Sequence, residues 1–97
     1  MPHTMPSVES ERLVRIVNDS GLHARPCHAV VTTALEFEAE LRISCRGREV
    51  NGKSILELMT LNAGKDTELA LKARGVDCEP LLERLDALFA SGFEERP

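Results

Sequence analysis

Glu40-Leu41-Arg42-Ile43-Ser44-Cys45-Arg46 is the stretch that decides the fold. Apolar and polar side chains alternate along it without a break. A strand sends successive side chains to opposite faces, so Leu41, Ile43 and Cys45 share one face while Glu40, Arg42, Ser44 and Arg46 share the other. A strand buried on both faces would read as a continuous apolar run. Clean alternation predicts an antiparallel sheet with one wet face. The apolar face then needs a cover, which helices supply in a two-layer α+β domain.

Upstream, Cys27, Val30, Val31 and Ala34 recur at helical spacing, with Leu35 alongside. They predict a helix from Ala24 to about Glu36, with Pro26 in the first turn, where its missing N–H costs nothing. Before it, Leu13, Val14, Ile16 and Val17 form an apolar run broken by Arg15, read as a first strand that ends at the turn composition Asn18-Asp19-Ser20-Gly21. Downstream, Gly47-Arg48 is read as a turn into a short strand near Glu49-Val50. Ser54-x-x-Glu57 is a capping box that opens a second helix, closed by Gly64 as a left-handed cap. Thr67 to Ala73 alternates again, with Leu69, Leu71 and Ala73 inward, and Gly75 turns the chain. Asp77 is placed as the cap of a third helix, stapled by Val76 against Leu81. Leu81, Leu82, Leu85, Leu88 and Phe89 make its buried face, and Gly92 ends it. The order is β-α-β-β-α-β-α: a four-stranded antiparallel sheet with three helices on one face. Residues 1–10 are read as a flexible N-terminal tail, 11–93 as the domain and 94–97 as a C-terminal tail.

Composition narrows the function. The chain has 97 residues, so one domain is expected, and its lack of Trp and Tyr makes the core aliphatic. Twelve basic residues against sixteen acidic ones give a net charge of −4, and the basic residues are scattered. That argues against non-specific nucleic-acid binding, which needs clustered Lys and Arg. Cys27, Cys45 and Cys78 form no C-x-x-C pair and no zinc spacing, which suits free thiols in a reducing compartment. No apolar run is long enough to span a membrane. Met1 to Glu11 holds Pro2, Pro6, Ser7 and Ser10 and no apolar stretch, so it is not read as a secretory signal, and a cytoplasmic address is expected.

The chemistry concentrates at Gly21-Leu22-His23-Ala24-Arg25-Pro26. His23 stands between a glycine turn and a helix start. The first helical N–H groups have no intrahelical partner and lie at the positive end of the dipole, which attracts an anion. The same field disfavours an imidazolium, leaving the ring a nucleophile near neutral pH. Imidazole can attack phosphorus to form a phosphoramidate, which would rest against the amides of Ala24 and Arg25. The Arg25 guanidinium matches phosphate oxygens in shape and charge. Positioning and electrostatics are most of what phosphoryl transfer requires.

Gly21-Leu22-His23-Ala24-Arg25-Pro26 resembles the active-site signature of the HPr family, the histidine phosphocarriers of the bacterial phosphoenolpyruvate-dependent phosphotransferase system. Asn51-Gly52-Lys53-Ser54-Ile55 resembles that family's regulatory serine segment, and the resemblance extends over roughly Glu11 to Ala90. It implies an open-faced two-layer sandwich and a carrier, not a stand-alone turnover enzyme. It further implies phosphorylation of His23 on Nδ1 by enzyme I, which draws on phosphoenolpyruvate, and delivery to an enzyme II A component. By the same resemblance, Arg25 falls on the phosphate-binding arginine and Ser54 on the serine addressed by an HPr kinase/phosphorylase. No cofactor is expected, and the carrier is expected to act as a monomer.

Ser54 also has a plain role as a helix cap, which stands whatever else is true. Beyond it, Ile55, Leu56, Leu58, Met59 and Leu61 sweep roughly 220° at 100° per residue, against about 100° for a core-facing stripe. Leu58 and Leu61 are assigned to the core, and Ile55, Leu56 and Met59 to an exposed docking patch. Leu22, Ala24, Arg25 and His28 complete that docking surface, as the resemblance implies. Cys27 and His28 stand where the family usually has small residues. Cys27 lies on the apolar helix face and is read as core. His23 and His28 are five apart, a poor spacing for one metal, and no third ligand is evident, so no metal site is expected.

Two rival readings remain. One is a regulatory, nitrogen-type or kinase-controlled binding module that signals through Ser54. The other is nucleotide binding, because Gly47 to Ser54 literally satisfies G-x-x-x-x-G-K-[ST]. The alternating strand before it and the bulky Arg48, Glu49 and Val50 within it speak against a phosphate-wrapping loop.

Overall fold

The computed structural model describes residues 8–95. Its elements are β1 (Glu9–Arg15), α1 (Ala24–Ala34), β2 (Glu40–Cys45), β3 (Arg48–Asn51), α2 (Ile55–Met59), β4 (Glu68–Arg74) and α3 (Cys78–Ala90), followed by a terminal turn, Gly92–Glu94. The strands form one sheet in the order β1-β4-β2-β3, with every neighbouring pair antiparallel. Leu41, Ile43 and Cys45 are buried as the alternation of β2 requires, and so are Leu69, Leu71 and Ala73 of β4. The helices close that face with Cys27, Val30 and Ala34 of α1, Leu58 of α2 and Leu81, Leu82, Leu85 and Phe89 of α3. Each fully buried Leu or Phe contributes about 1.5–3 kcal/mol relative to its exposed state. The expected two-layer α+β sandwich is the observed fold.

Several local expectations give way to contacts that a sequence does not display. β1 begins at Glu9, two residues inside the stretch assigned to the tail, and Glu9 pairs with Arg74. Its apolar run does not sink as a block. Val14 and Ile16 are buried, whereas Leu13 is 58% and Val17 45% exposed, because a strand alternates. Helix α1 stops at Ala34, and Leu35 is exposed. The β2–β3 turn is Arg46-Gly47, one residue earlier than read. Cys45 pairs with Arg48, and both turn residues have positive φ (52° and 81°), as in a two-residue hairpin of the type that follows strand twist. Arg48–Asn51 is thus a paired strand, which leaves no phosphate-wrapping loop between Gly47 and Gly52.

The caps also differ. Ser54 Oγ accepts from the Glu57 N–H at 3.2 Å, but the Glu57 carboxylate accepts from the Asn51 N–H at 3.0 Å, so only half of the capping box closes on itself. Helix α2 ends at Met59, and the left-handed residue after it is Asn62 (φ 51°), not Gly64. Asp77 precedes α3 without capping it. Its two carboxylate oxygens accept from the N–H groups of Glu38 and Ala39, each at 2.8 Å. Val76 is 85% exposed and staples nothing, and Leu88 is only partly buried. Gly92 does end α3, with φ 64°. Glu94 belongs to the terminal turn and Glu95 to the site described next, so both are ordered parts of the domain where a tail was expected. No helix among the described residues is long and apolar enough to cross a membrane.

Candidate functional site

The chain between β1 and α1 is folded by its glycine. Gly21 has φ 71°, and an added Cβ would stand 2.6 Å from the carbonyl oxygen of Ala63. Only glycine combines that dihedral with that approach. The next amide, Leu22 N–H, donates to the same Ala63 oxygen at 2.8 Å. Leu22 is therefore drawn into the core at 4% exposure, which removes its side chain from the expected docking surface. His23 follows as the N-cap of α1 in extended conformation, with φ −91° and ψ −169°.

At this helix start, the Cys27 N–H donates to the His23 carbonyl at 3.0 Å, the first bond of the helical ladder. Pro26 has no N–H, so the amides of Ala24 and Arg25 are the two donors left outside the ladder. Both residues are exposed. The Arg25 guanidinium makes no hydrogen bond or ion pair among the described residues, and it borders the cleft beside His23. The first turn of α1 holds no acidic residue to compete for its positive end.

The imidazole of His23 is 40% exposed, and its Nε2 lies 2.8 Å from Oε2 of Glu95. Nδ1 has no hydrogen-bond partner among the described residues. The other Glu95 oxygen, Oε1, accepts from Asn18 Nδ2 at 3.2 Å, and the same amide nitrogen donates to the Gly21 carbonyl at 2.8 Å. Asn18 is buried, and its Oδ1 has no partner among the described residues. The Glu95 carboxyl is held below the usual carboxylate range. The His23 hydrogen bond is the main cause, the Asn18 bond and the charge of Arg25 add to it, and partial desolvation opposes it. His23, Arg25, His28, Phe93 and Glu95 border an open cleft of about 620 Å³. His28 is exposed there, as expected.

Glu95 is the residue that sequence reasoning missed. It lies 72 positions from His23, in a stretch read as tail. Asn18, read only as a turn former, is the buried link between them. No local pattern signals either role; the nearest clue is Gly92, whose left-handed cap reverses the chain after α3.

Cys27 is fully buried, its Sγ donates to the Leu22 carbonyl at 3.6 Å, and burial pushes its thiol up to about 11. It is a protonated core residue, not a reactive thiol. Among the described residues no group of three or more His, Cys, Asp or Glu side chains could hold a metal ion.

Ser54 is partly buried at the start of α2, which packs against α1. Leu58 (0%) and Leu61 (7%) are core, as assigned. Leu56 is 80% and Met59 43% exposed, while Ile55 is half-buried against the core. The apolar patch beside Ser54 is therefore Leu56 and Met59, without the full width of Ile55.

Comparison with known proteins agrees with the fold and shows the family. The family model PTS-HPr, described as "PTS HPr component phosphorylation site", matches residues 10–91. The crystal structure of HPr-C-His from Thermoanaerobacter tengcongensis is similar at 34% identity and TM-score 0.87, covering 91% of this chain and 99% of that one. Phosphocarrier protein HPr from Bacillus anthracis str. Ames is 33% identical at TM-score 0.80, covering 84% and 96%. Crh of Bacillus subtilis, described as a swapped, intertwined dimer, is 35% identical at TM-score 0.70, covering 81% and 91%.

Proposed function

The chain belongs to the HPr phosphocarrier family of the phosphotransferase system, and on that premise we propose that it accepts a phosphoryl group on His23 from enzyme I and delivers it to an enzyme II A component. The observation that carries the reading is the setting of His23. His23 holds the N-cap position of α1, directly before Ala24 and Arg25, whose N–H groups the first turn leaves outside the ladder.

The geometry suits the reaction step by step. Nδ1 attacks phosphorus while the bond to the donor's leaving atom breaks, and that atom keeps the electron pair. The negative oxygens meet the Ala24 and Arg25 amides and the positive end of α1. Arg25, which lines the cleft and has no ion pair among the described residues, adds a charged donor pair without having to break a bridge to them. No turnover chemistry follows on the chain itself: the acceptor attacks phosphorus, the Nδ1–P bond breaks with its electron pair returning to Nδ1, and the phosphoryl group passes on. The single chain supplies every one of these groups, so a monomer suffices.

Two further assignments belong to the proposal. Leu56 and Met59, with His28 at the cleft, form the surface that partners cover. Ser54 is the regulatory site for an HPr kinase/phosphorylase. A phosphate there sits at a helix cap, where the charge is tolerated, and it repels a partner bearing its own phosphoryl group. Incubating the chain with phosphoenolpyruvate and enzyme I tests the reading by intact mass. One phosphoryl mass should appear on the wild type, acid-labile and base-stable, and none on His23→Ala. A label that survives His23→Ala would overturn it.

A further inference from the structure

Gly92, Phe93 and Glu94 are three consecutive residues with φ of 64°, 59° and 57°. A left-handed turn is free for glycine but costs about 1–2 kcal/mol at each L residue. Such a conformation persists only where its surroundings hold it, and its usual place is a functional site. Here the ring of Phe93 packs edge-on against Phe89 of α3, with centroids 4.9 Å apart. The Glu94 and Glu95 N–H groups close the turn onto the Ser91 and Gly92 carbonyls at 3.1 Å each. The result of that strained path is that the next side chain, Glu95, meets His23 Nε2 at 2.8 Å while Asn18 grips its second oxygen.

We infer that Glu95 is a positioning residue for phosphoryl transfer: held by the left-handed turn and by Asn18, it fixes the imidazole of His23 in the Nε2–H tautomer and so reserves the Nδ1 lone pair for phosphorus. This rests on the carrier reading above. A carboxylate can only accept a hydrogen bond, so the ring nitrogen facing it must carry the proton. The nitrogen on the opposite edge then holds the lone pair, and the orientation of the ring is set by the same bond, the logic by which an acidic partner sets the working tautomer of a catalytic histidine. When Nδ1 forms its bond to phosphorus, the donor's leaving atom departs with its electron pair and the Nε2 proton stays on the ring. The positive charge that the ring gains lies against the Glu95 carboxylate, across the ring from the incoming anion, so the two negative groups do not compete for one place.

The test uses the full chain as wild type, Glu95→Gln and Glu95→Ala, each shown to be folded by its melting transition. Long-range proton–nitrogen spectra of the imidazole at mildly alkaline pH read the tautomer directly. The expected result is a single Nε2–H form in the wild type, largely kept in Glu95→Gln, whose amide oxygen still accepts, and a mixture of both tautomers in Glu95→Ala. Transfer from phosphorylated enzyme I should slow by about 10- to 100-fold in Glu95→Ala, the size of effect seen when the partner that orients a metal-bound imidazole is removed, with the half-saturating donor concentration unchanged. Glu95→Gln should lie between. A Glu95→Ala chain with the wild-type tautomer and the wild-type rate would overturn the inference while the carrier reading stood. A wild type that takes no phosphoryl group on His23 would overturn the carrier reading, and with it the role in transfer.

Discussion

Gly21 and Ala63 are in contact at the limit of what a backbone allows: the space a Cβ would need on Gly21 is already occupied by the Ala63 carbonyl oxygen, 2.6 Å away. That oxygen also receives the Leu22 N–H, so one acceptor sets both the sharp turn and the depth of the residue before His23. Gly21→Ala must therefore open the turn as well as bear a positive φ. We expect it to lower stability by about 1–2 kcal/mol from the dihedral alone, read by urea unfolding. We also expect it to slow labelling of His23 more than it lowers stability, since the imidazole is displaced. Gly64→Ala, where a Cβ would meet nothing, is the control and should leave the rate unchanged.

Helix α2 separates packing from docking on its two opposite faces. Leu58→Ala should cost about 2–5 kcal/mol, as for a fully buried leucine. Leu56→Ala, at a position 80% exposed, should stay within about 0.5 kcal/mol of wild type. Yet Leu56→Ala should raise the donor concentration needed for half-maximal transfer, and Leu58→Ala, assayed where it is folded, should not.

Ser54→Ala removes a hydroxyl that caps α2 and should cost about 1 kcal/mol by chemical denaturation. Ser54→Asp keeps an acceptor at the same place and should melt near the wild-type temperature while slowing transfer from enzyme I. The two variants thus part: one loses stability, the other loses the partner.

Asp77 ties the loop before β2 to the start of α3 through the Glu38 and Ala39 amides. The Glu38 bond is the main cause that holds its carboxyl below the usual range, and partial desolvation opposes it. A carboxyl lowered on folding stabilises the fold above its unfolded value, near 4, and that contribution fades as pH falls through the lower folded value. Asp77→Ala should accordingly lie below wild type at neutral pH, and the two melting curves should converge as the solution is made strongly acidic. A constant gap down to the lowest pH would contradict the assignment.

The sheet was readable because its signal is local. Each side chain of Leu41–Cys45 declares its face by its neighbours, and the same holds for Leu69–Ala73. His23 and Arg25 were readable for the same reason, since a helix start, a preceding glycine and a following proline lie within six residues. What escaped depends on distant partners. Asp77 and Val76 satisfied a capping and stapling pattern, but the Asp77 carboxylate found the amides of Glu38 and Ala39, and Val76 was left in solvent. Leu22 belongs to the motif, yet its amide bond to Ala63 turns it inward. Glu95 gave no signal at all, because its place beside His23 follows from a left-handed path at Phe93 and Glu94 that no residue type there prefers.

The most direct check on the central claim is the position of the phosphoryl group within the labelled chain, read by nitrogen and phosphorus resonances after transfer from enzyme I. A single phosphoramidate on Nδ1 of His23 is the expected result. Label on Nε2 of that ring, on His28, or on Ser54 under the same conditions would contradict it.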